Sequence, residues 1–228
     1  MSVLVAIDQG TTSTRSVAFN SDLSVAYSLQ KEYPLQYPNG GWGEIDPEEL
    51  LSSVYSTLDP VIEKFIDISA VGITNQRETT IVWDAESGKP IYNAIVWQDR
   101  RTSKYCDSIN TDTNKSLIKD KTGLIIDSYF SATKIKWILD NIEGAREKAL
   151  AGELCFGTVD SYLLFKLSNG KIHKTDITNA SRTMLFNINT LEWDKELLEL
   201  FDIPSSLLPK VEHSDVNFGS LSVLNDIE

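Results

Sequence analysis

Asp8-Gln9-Gly10-Thr11-Thr12-Ser13-Thr14-Arg15 lies between two apolar, strand-like runs and gathers groups that bind phosphate. A turn rich in Gly and hydroxyl residues can aim consecutive backbone N–H groups at an anion. Thr11, Thr12 and Ser13 add hydroxyl donors, and the fork of Arg15 suits phosphate oxygens. Asp8, just past the first strand, could hold the water shell of a Mg2+ ion. The same residue types also build ordinary hairpin turns, and spacing alone leaves both readings open.

Three further segments carry groups suited to a hydroxyl-rich ligand. Thr74-Asn75-Gln76-Arg77-Glu78-Thr79-Thr80 is an unbroken polar run between strand candidates. Its Arg77 and Glu78 set a donor beside an acceptor, as vicinal hydroxyls require. Neighbours on a regular strand point to opposite faces, so both can touch one ligand only where the chain bends. A solvated connection with a surface ion pair is the alternative. In Trp97-Gln98-Asp99-Arg100-Arg101 the indole face offers a platform for the C–H face of a small polyol. Asp99 and the arginines could fix the loop; a core tryptophan before a charged helix start would look the same. Asp127-Ser128-Tyr129-Phe130-Ser131 presents a phenol able to donate to and accept from a hydroxyl, or it is a capping loop.

The elements that must position these groups follow from local pattern. Val3–Ile7, Arg15–Phe19 and Val25–Leu29 are short apolar runs with Gly and Asx breaks, predicting an antiparallel meander. Asp46-Pro47-Glu48-Glu49 combines an N-cap, a first-turn proline and early acids. The stripe Leu50, Leu51, Val54, Leu58, Val61 and Phe65 continues that helix, and Pro60 predicts a kink or restart within it. Residues 70–74, 80–83, 94–97 and 154–159 read as strands, and 99–150 as helical, with Ser131 capping a face of Ile135, Ile138, Leu139 and Ile142. Residues 162–167 predict a helical turn or two, and Trp193-Asp194 opens a helix to about Phe201. Antiparallel strands followed by helix–strand alternation predict an α/β layer fold.

Composition narrows the function classes. With 21 Lys and Arg against 33 Asp and Glu, the net charge is −12, which opposes binding to nucleic acid or an anionic membrane. Any phosphate must then be held by local donors. No apolar run approaches the roughly 20 residues of a membrane span. The N-terminus shows neither a basic region nor a small-residue cleavage site, so a cytoplasmic location is expected. Cys106 and Cys155 read as small buried residues, and His173 and His213 lack metal-ligand spacing. No G-x-G-x-x-G occurs, and neither Gly88-Lys89 nor Gly170-Lys171 completes a Walker loop.

The segment Asp8–Arg15 resembles the phosphate loop of sugar and polyol kinases with the actin-like, ribonuclease-H-like ATPase fold. The blocks Gly72–Thr80, Tyr92–Arg101, Lys136–Asn141 and Thr178–Asn187 narrow the resemblance to the glycerol kinases, from residue 3 to about 219. The resemblance implies one actin-like α/β domain over 1–228, a mixed sheet flanked by helices, matching the N-terminal half of such an enzyme. It implies ATP and Mg2+ as cofactors, glycerol as substrate, and a C-terminal domain as partner. Asp8 would sit by the metal, and Thr11, Thr12, Ser13 and Arg15 would face phosphate. Arg77, Glu78 and Tyr129 would hydrogen-bond glycerol, with Trp97 packed on its carbons. Ser128 and Ala132 depart from the proline and glycine common at those positions. The family's catalytic base, an aspartate in a Gly-Asp-Gln segment, is expected beyond Glu228, and most adenosine contacts in the C-terminal domain. No catalytic residue is therefore assigned here, and the chain alone is expected to be inactive. A polyol-binding or interaction module without turnover, a kinase of a larger sugar, and a homo-oligomer are compatible alternatives.

Overall fold

In the computed structural model, residues 2–221 are described. The meander forms as expected: β1 (Val3–Gln9), β2 (Ser13–Phe19) and β3 (Val25–Glu32) pair antiparallel. The short β4 (Glu44–Ile45) precedes helix α1 (Pro47–Lys64), which crosses back to β5 (Ile68–Asn75). β5 runs parallel to β1, giving a mixed sheet in the order β3-β2-β1-β5. Beyond it come β6 (Ile81–Asp84), β7 (Ala94–Ile95), α2 (Ser103–Ser108), α3 (Asp112–Thr122), α4 (Ser131–Asn141) and α5 (Ala145–Leu150). β8 (Leu154–Gly157), α6 (Val159–Leu167), β9 (Lys174–Asp176) and α7 (Ile177–Ala180) follow, then β10 (Phe186–Asn187), β11 (Glu192–Trp193), α8 (Lys195–Phe201) and β12 (Lys210–Glu212).

Period-two alternation sets the sheet's two faces. Val3, Val5, Ile7 and Gln9 are buried, while Leu4 and Asp8 are exposed. α1 covers the buried face with Leu50, Val54, Leu58 and Val61, each removed from water. Burying such a side chain contributes about 1.5–3 kcal/mol. Two hydroxyl pairs, Thr14–Ser53 at 2.6 Å and Ser16–Thr57 at 2.8 Å, join β2 to the helix where β2 offers polar side chains. The other face, at its β1–β2 end, is left open for Asp8 and Arg15.

α1 begins as expected, with Asp46 accepting from the Glu48 N–H at 2.9 Å. The kink or restart expected at Pro60 does not occur as a break: one helix runs through it. Leu58 and Val61 anchor both sides of the proline in the core, so packing outweighs one lost backbone bond. The stretch 99–150 is four helices. Gly123 and Gly144, at φ 71° and 72°, take the left-handed conformation at two of the breaks. Ser131 is not the cap of α4; Phe130 holds that position without a side-chain bond. The Ser131 hydroxyl points instead to the Glu78 carbonyl at 3.4 Å.

β6 and β8 pair antiparallel and separate two apolar cores. Ile81, Trp83 and Cys155 face the core beneath the main sheet and α6. Val82, Leu154 and Phe156 face a second core with α4, α5 and α8. Residues 76–80, between β5 and β6, lie where the two cores meet.

Candidate functional site

The β1–β2 turn is closed by the Gly10 N–H on the Ser13 carbonyl at 2.9 Å. Three groups converge on the Gly10 carbonyl: Gln9 Nε2 at 2.8 Å, Gln76 Nε2 at 3.0 Å, and the Tyr33 hydroxyl. Burial holds the Tyr33 phenol well above its ordinary pKa, so it stays a neutral donor. This pinning leaves Thr12 exposed and Thr11 and Ser13 half-buried at the rim. Asp8 and Arg15 are cross-strand partners, both exposed on the open face. The Arg15 guanidinium reaches Gln30 Oε1 at 2.6 Å, and Gln30 Nε2 donates to Ser13 Oγ at 3.1 Å. Gln30 thus tethers two of the phosphate candidates.

The aromatic candidates touch this turn. Trp97 Nε1 donates to Thr11 Oγ1 at 2.9 Å, and the Trp97 and Tyr129 rings meet edge to face, 5.5 Å apart. Glu78, 4 % exposed, accepts from Arg182 Nε at 2.7 Å through Oε1. The Arg182 guanidinium lies over Phe130 and Tyr129, at 5.0 and 5.8 Å from their ring centres. Thr11, Trp97, Tyr129, Arg182 and Glu78 therefore form one continuous line. Arg182 was not among the residues expected from sequence; its signal lay in the Thr178–Asn187 block, but its partner is remote in the chain.

Arg77 lies outside this line. Exposed, it borders a cleft of about 790 Å³ along the β5 edge, with Thr74, Asp160, Asp176 and Asn179. Among the described residues its side chain makes no hydrogen bond or ion pair. The pairing of Arg77 with Glu78 as charged neighbours is corrected here: Arg182 is the cation that pairs with Glu78. The chain leaves β5 at Asn75, and the two consecutive side chains take different environments, one exposed and one buried.

The loop behind Trp97 is braced from within. The Arg101 side chain is fully buried, sharing hydrogens with Asp99 (2.8–3.0 Å) and Glu44 (2.7 Å). Its guanidinium lies between the Trp42 and Trp137 rings, 3.9 and 4.5 Å from their centres. Asp99 also accepts the Gly43 N–H at 2.7 Å. Burial pulls the Arg101 pKa down, yet the Asp99 and Glu44 bonds raise it on balance. Arg100 reaches Asp127 at 2.7 Å, and Asp127 accepts the Tyr129 N–H at 2.8 Å. Ser128 is buried and accepts from Arg100 at 3.2 Å; Ala132 is buried with its N–H on the Thr183 carbonyl at 2.8 Å. Both departures from the family pattern are thus accommodated around Tyr129.

Residues 3–224 match the model of the FGGY family of carbohydrate kinases, N-terminal domain. The chain belongs to this family. It is 57 % identical over 224 residues to the glycerol kinase of Fusobacterium nucleatum subsp. nucleatum, covering 96 % of this chain and 45 % of that protein. With the glycerol kinase of Alteromonas mediterranea it shares 58 % over 221 residues, covering 95 % and 45 %. The crystal structure of Plasmodium falciparum glycerol kinase with ADP superimposes with a TM-score of 0.93 at 35 % identity, over 100 % of this chain and 47 % of that one. A ligand-bound xylulose kinase from Lactobacillus acidophilus, at 24 % identity and TM-score 0.83 over 93 % and 42 %, shares the fold. The chain spans just under half the length of these relatives. The actin-like α/β assignment, a mixed sheet flanked by helices, holds.

Among the described residues no helix is long and apolar enough to cross a membrane, and no three His, Cys, Asp or Glu residues cluster as metal ligands.

Proposed function

We propose that this chain forms the polyol- and phosphate-binding half of a cytoplasmic enzyme that moves the γ-phosphoryl group of ATP to a terminal hydroxyl of glycerol. The observation that supports this reading is the hydrogen bond from Trp97 to Thr11, because it joins a residue that would pack on the acceptor to the hairpin that would hold phosphate. Phosphoryl transfer is mainly a matter of positioning and of neutralising charge, so donor and acceptor sites must adjoin.

The residues divide the work by their chemistry. Backbone N–H groups and the hydroxyls of Thr11, Thr12 and Ser13 would cradle phosphate oxygens, with Arg15 nearby on the open face. Glu78 commits Oε1 to Arg182, and its Oε2 accepts no hydrogen bond among the described residues. That oxygen would accept from a glycerol hydroxyl, Tyr129 would hydrogen-bond a second, and Trp97 would cover the carbon skeleton. Arg77, uncommitted at the cleft, would swing to a hydroxyl when ligand binds. Asp8 is a lone exposed carboxylate, which fits Mg2+: this ion keeps several waters and needs few carboxylates besides phosphate oxygens. Bound there, Mg2+ would neutralise phosphate charge. The proton acceptor and the adenosine site are assigned to a C-terminal domain.

The test joins this chain to the C-terminal half of the Fusobacterium relative and follows glycerol 3-phosphate by a coupled dehydrogenase. Glycerol should turn over and pentoses should not, and Arg77→Ala should weaken the apparent glycerol affinity by about 1.5–3 kcal/mol, the worth of a hydrogen bond from a charged group. A folded fusion that phosphorylates a pentose but not glycerol would refute the assignment.

A further inference from the structure

Lys134 is fully buried in the first turn of α4, a place where both burial and the helix dipole disfavour a cation. Among the described residues it forms no ion pair. Its ammonium group donates instead to two backbone carbonyls, that of Tyr129 at 2.5 Å and that of Glu78 at 3.2 Å. These carbonyls belong to two segments remote from each other in sequence, and both residues carry side chains of the proposed polyol site. The same helical turn gathers a third segment. The Ala132 N–H holds the Thr183 carbonyl at 2.8 Å, next to Arg182, and Ser131 also reaches the Glu78 carbonyl.

We propose that Lys134 is a positioning residue for polyol binding, whose buried ammonium group clamps the Glu78 and Tyr129 backbones and so fixes the spacing of carboxylate and phenol. This rests on the reading that Glu78 and Tyr129 contact glycerol. Packing alone does not account for a lysine here, since a methionine would fill similar volume without burying a charge. Burial pulls the Lys134 pKa down to about 7; Asp99, Glu78 and Asp127 oppose that fall and Arg100 adds to it. A group so penalised is retained for the bonds it makes. Three N–H donors on a flexible stem suit two carbonyls converging from different directions.

The Trp97 indole N–H resonance of the 15N-labelled chain, assigned by its loss in Trp97→Phe, serves as the reporter in a glycerol titration. The unsubstituted chain should show a saturable shift that Glu78→Gln abolishes. Lys134→Met should keep a folded spectrum, displace that resonance even before ligand is added, and raise the glycerol Kd at least tenfold. If the unsubstituted chain gives no shift sensitive to Glu78→Gln, the polyol reading falls and this proposal with it. If that control behaves as expected while Lys134→Met binds within twofold of the unsubstituted chain, the positioning role alone is overturned. Should Lys134→Met not fold, the Nζ resonance of Lys134 in the unsubstituted chain decides: it should shift on glycerol saturation, and an unmoved resonance overturns the clamp.

Discussion

Arg101→Lys keeps the positive charge and removes the shape that the loop behind Trp97 requires. The guanidinium meets both Asp99 oxygens and Glu44 while its face lies between Trp42 and Trp137. An ammonium group can satisfy one carboxylate but cannot fork between two while stacking on indoles. Asp99 is 1 % and Glu44 4 % exposed, so water cannot replace what is lost. Breaking a buried, hydrogen-bonded ion pair costs about 3–5 kcal/mol. For a chain of this size each kcal/mol lowers Tm by about 2–4 °C, so a fall of roughly 10 °C is expected by calorimetry. Near-ultraviolet circular dichroism should lose signal from the two tryptophans. Arg100→Lys is the matched control: Arg100 is 53 % exposed and its Asp127 partner 34 % exposed. That pair is worth at most about 1 kcal/mol, and Tm should move by no more than about 4 °C. If both variants melt within a few degrees of the parent, buried pairing does not hold this loop.

Arg182→Ala should leave the Glu78 carboxylate buried without its counter-charge, costing about 3 kcal/mol of stability and weakening glycerol binding; unchanged calorimetric titration would detach Arg182 from the site. Asp160→Asn tests pH linkage. Burial lifts the Asp160 pKa from its ordinary 3.8 to about 6, against the Thr158 and Thr175 hydroxyl bonds. The folded state thus favours the protonated acid, and its contribution of about 3 kcal/mol is present below about pH 4 and lost as pH rises through about 6. Urea melts at pH 4.5 and 7.5 should show a smaller fall in stability for the asparagine variant, and parallel falls would remove Asp160 from the account.

What the sequence made legible was local. The meander, the Asp46-Pro47 helix start and the turn at Gly10 depend on neighbours a few residues apart, and these formed as read. Ser131 misled because its hydroxyl found a tertiary acceptor, the Glu78 carbonyl, in place of its own helix. At Pro60 the helix does not restart, because core anchors on both sides hold it together. Lys134 and Arg182 gave no local sign of their roles, since the partner they share, Glu78, lies far from both in sequence; the second Lys134 acceptor, the Tyr129 carbonyl, is five residues away but outside the helix that carries the lysine.

The site's order follows from where polar residues could be afforded at the junction of two cores. Residues 76–80 cannot continue as a strand centre, yet Gln76, Glu78, Thr79 and Thr80 are all buried. Each therefore needs a partner: Thr79 and Thr80 find theirs inside the segment, on Gln76 Oε1 and the Glu78 carbonyl, and the other two reach other elements. Gln76 finds the hairpin, through the Gly10 carbonyl; Glu78 finds Arg182 and, through its carbonyl, Lys134. The loop that carries Glu78 is thereby the same loop that ties the β1–β2 turn to α4. On the function proposed above, glycerol at Glu78 and phosphate at Thr11–Ser13 would share this connection, because the Gln76 contact and the Trp97–Thr11 bond both end on one turn.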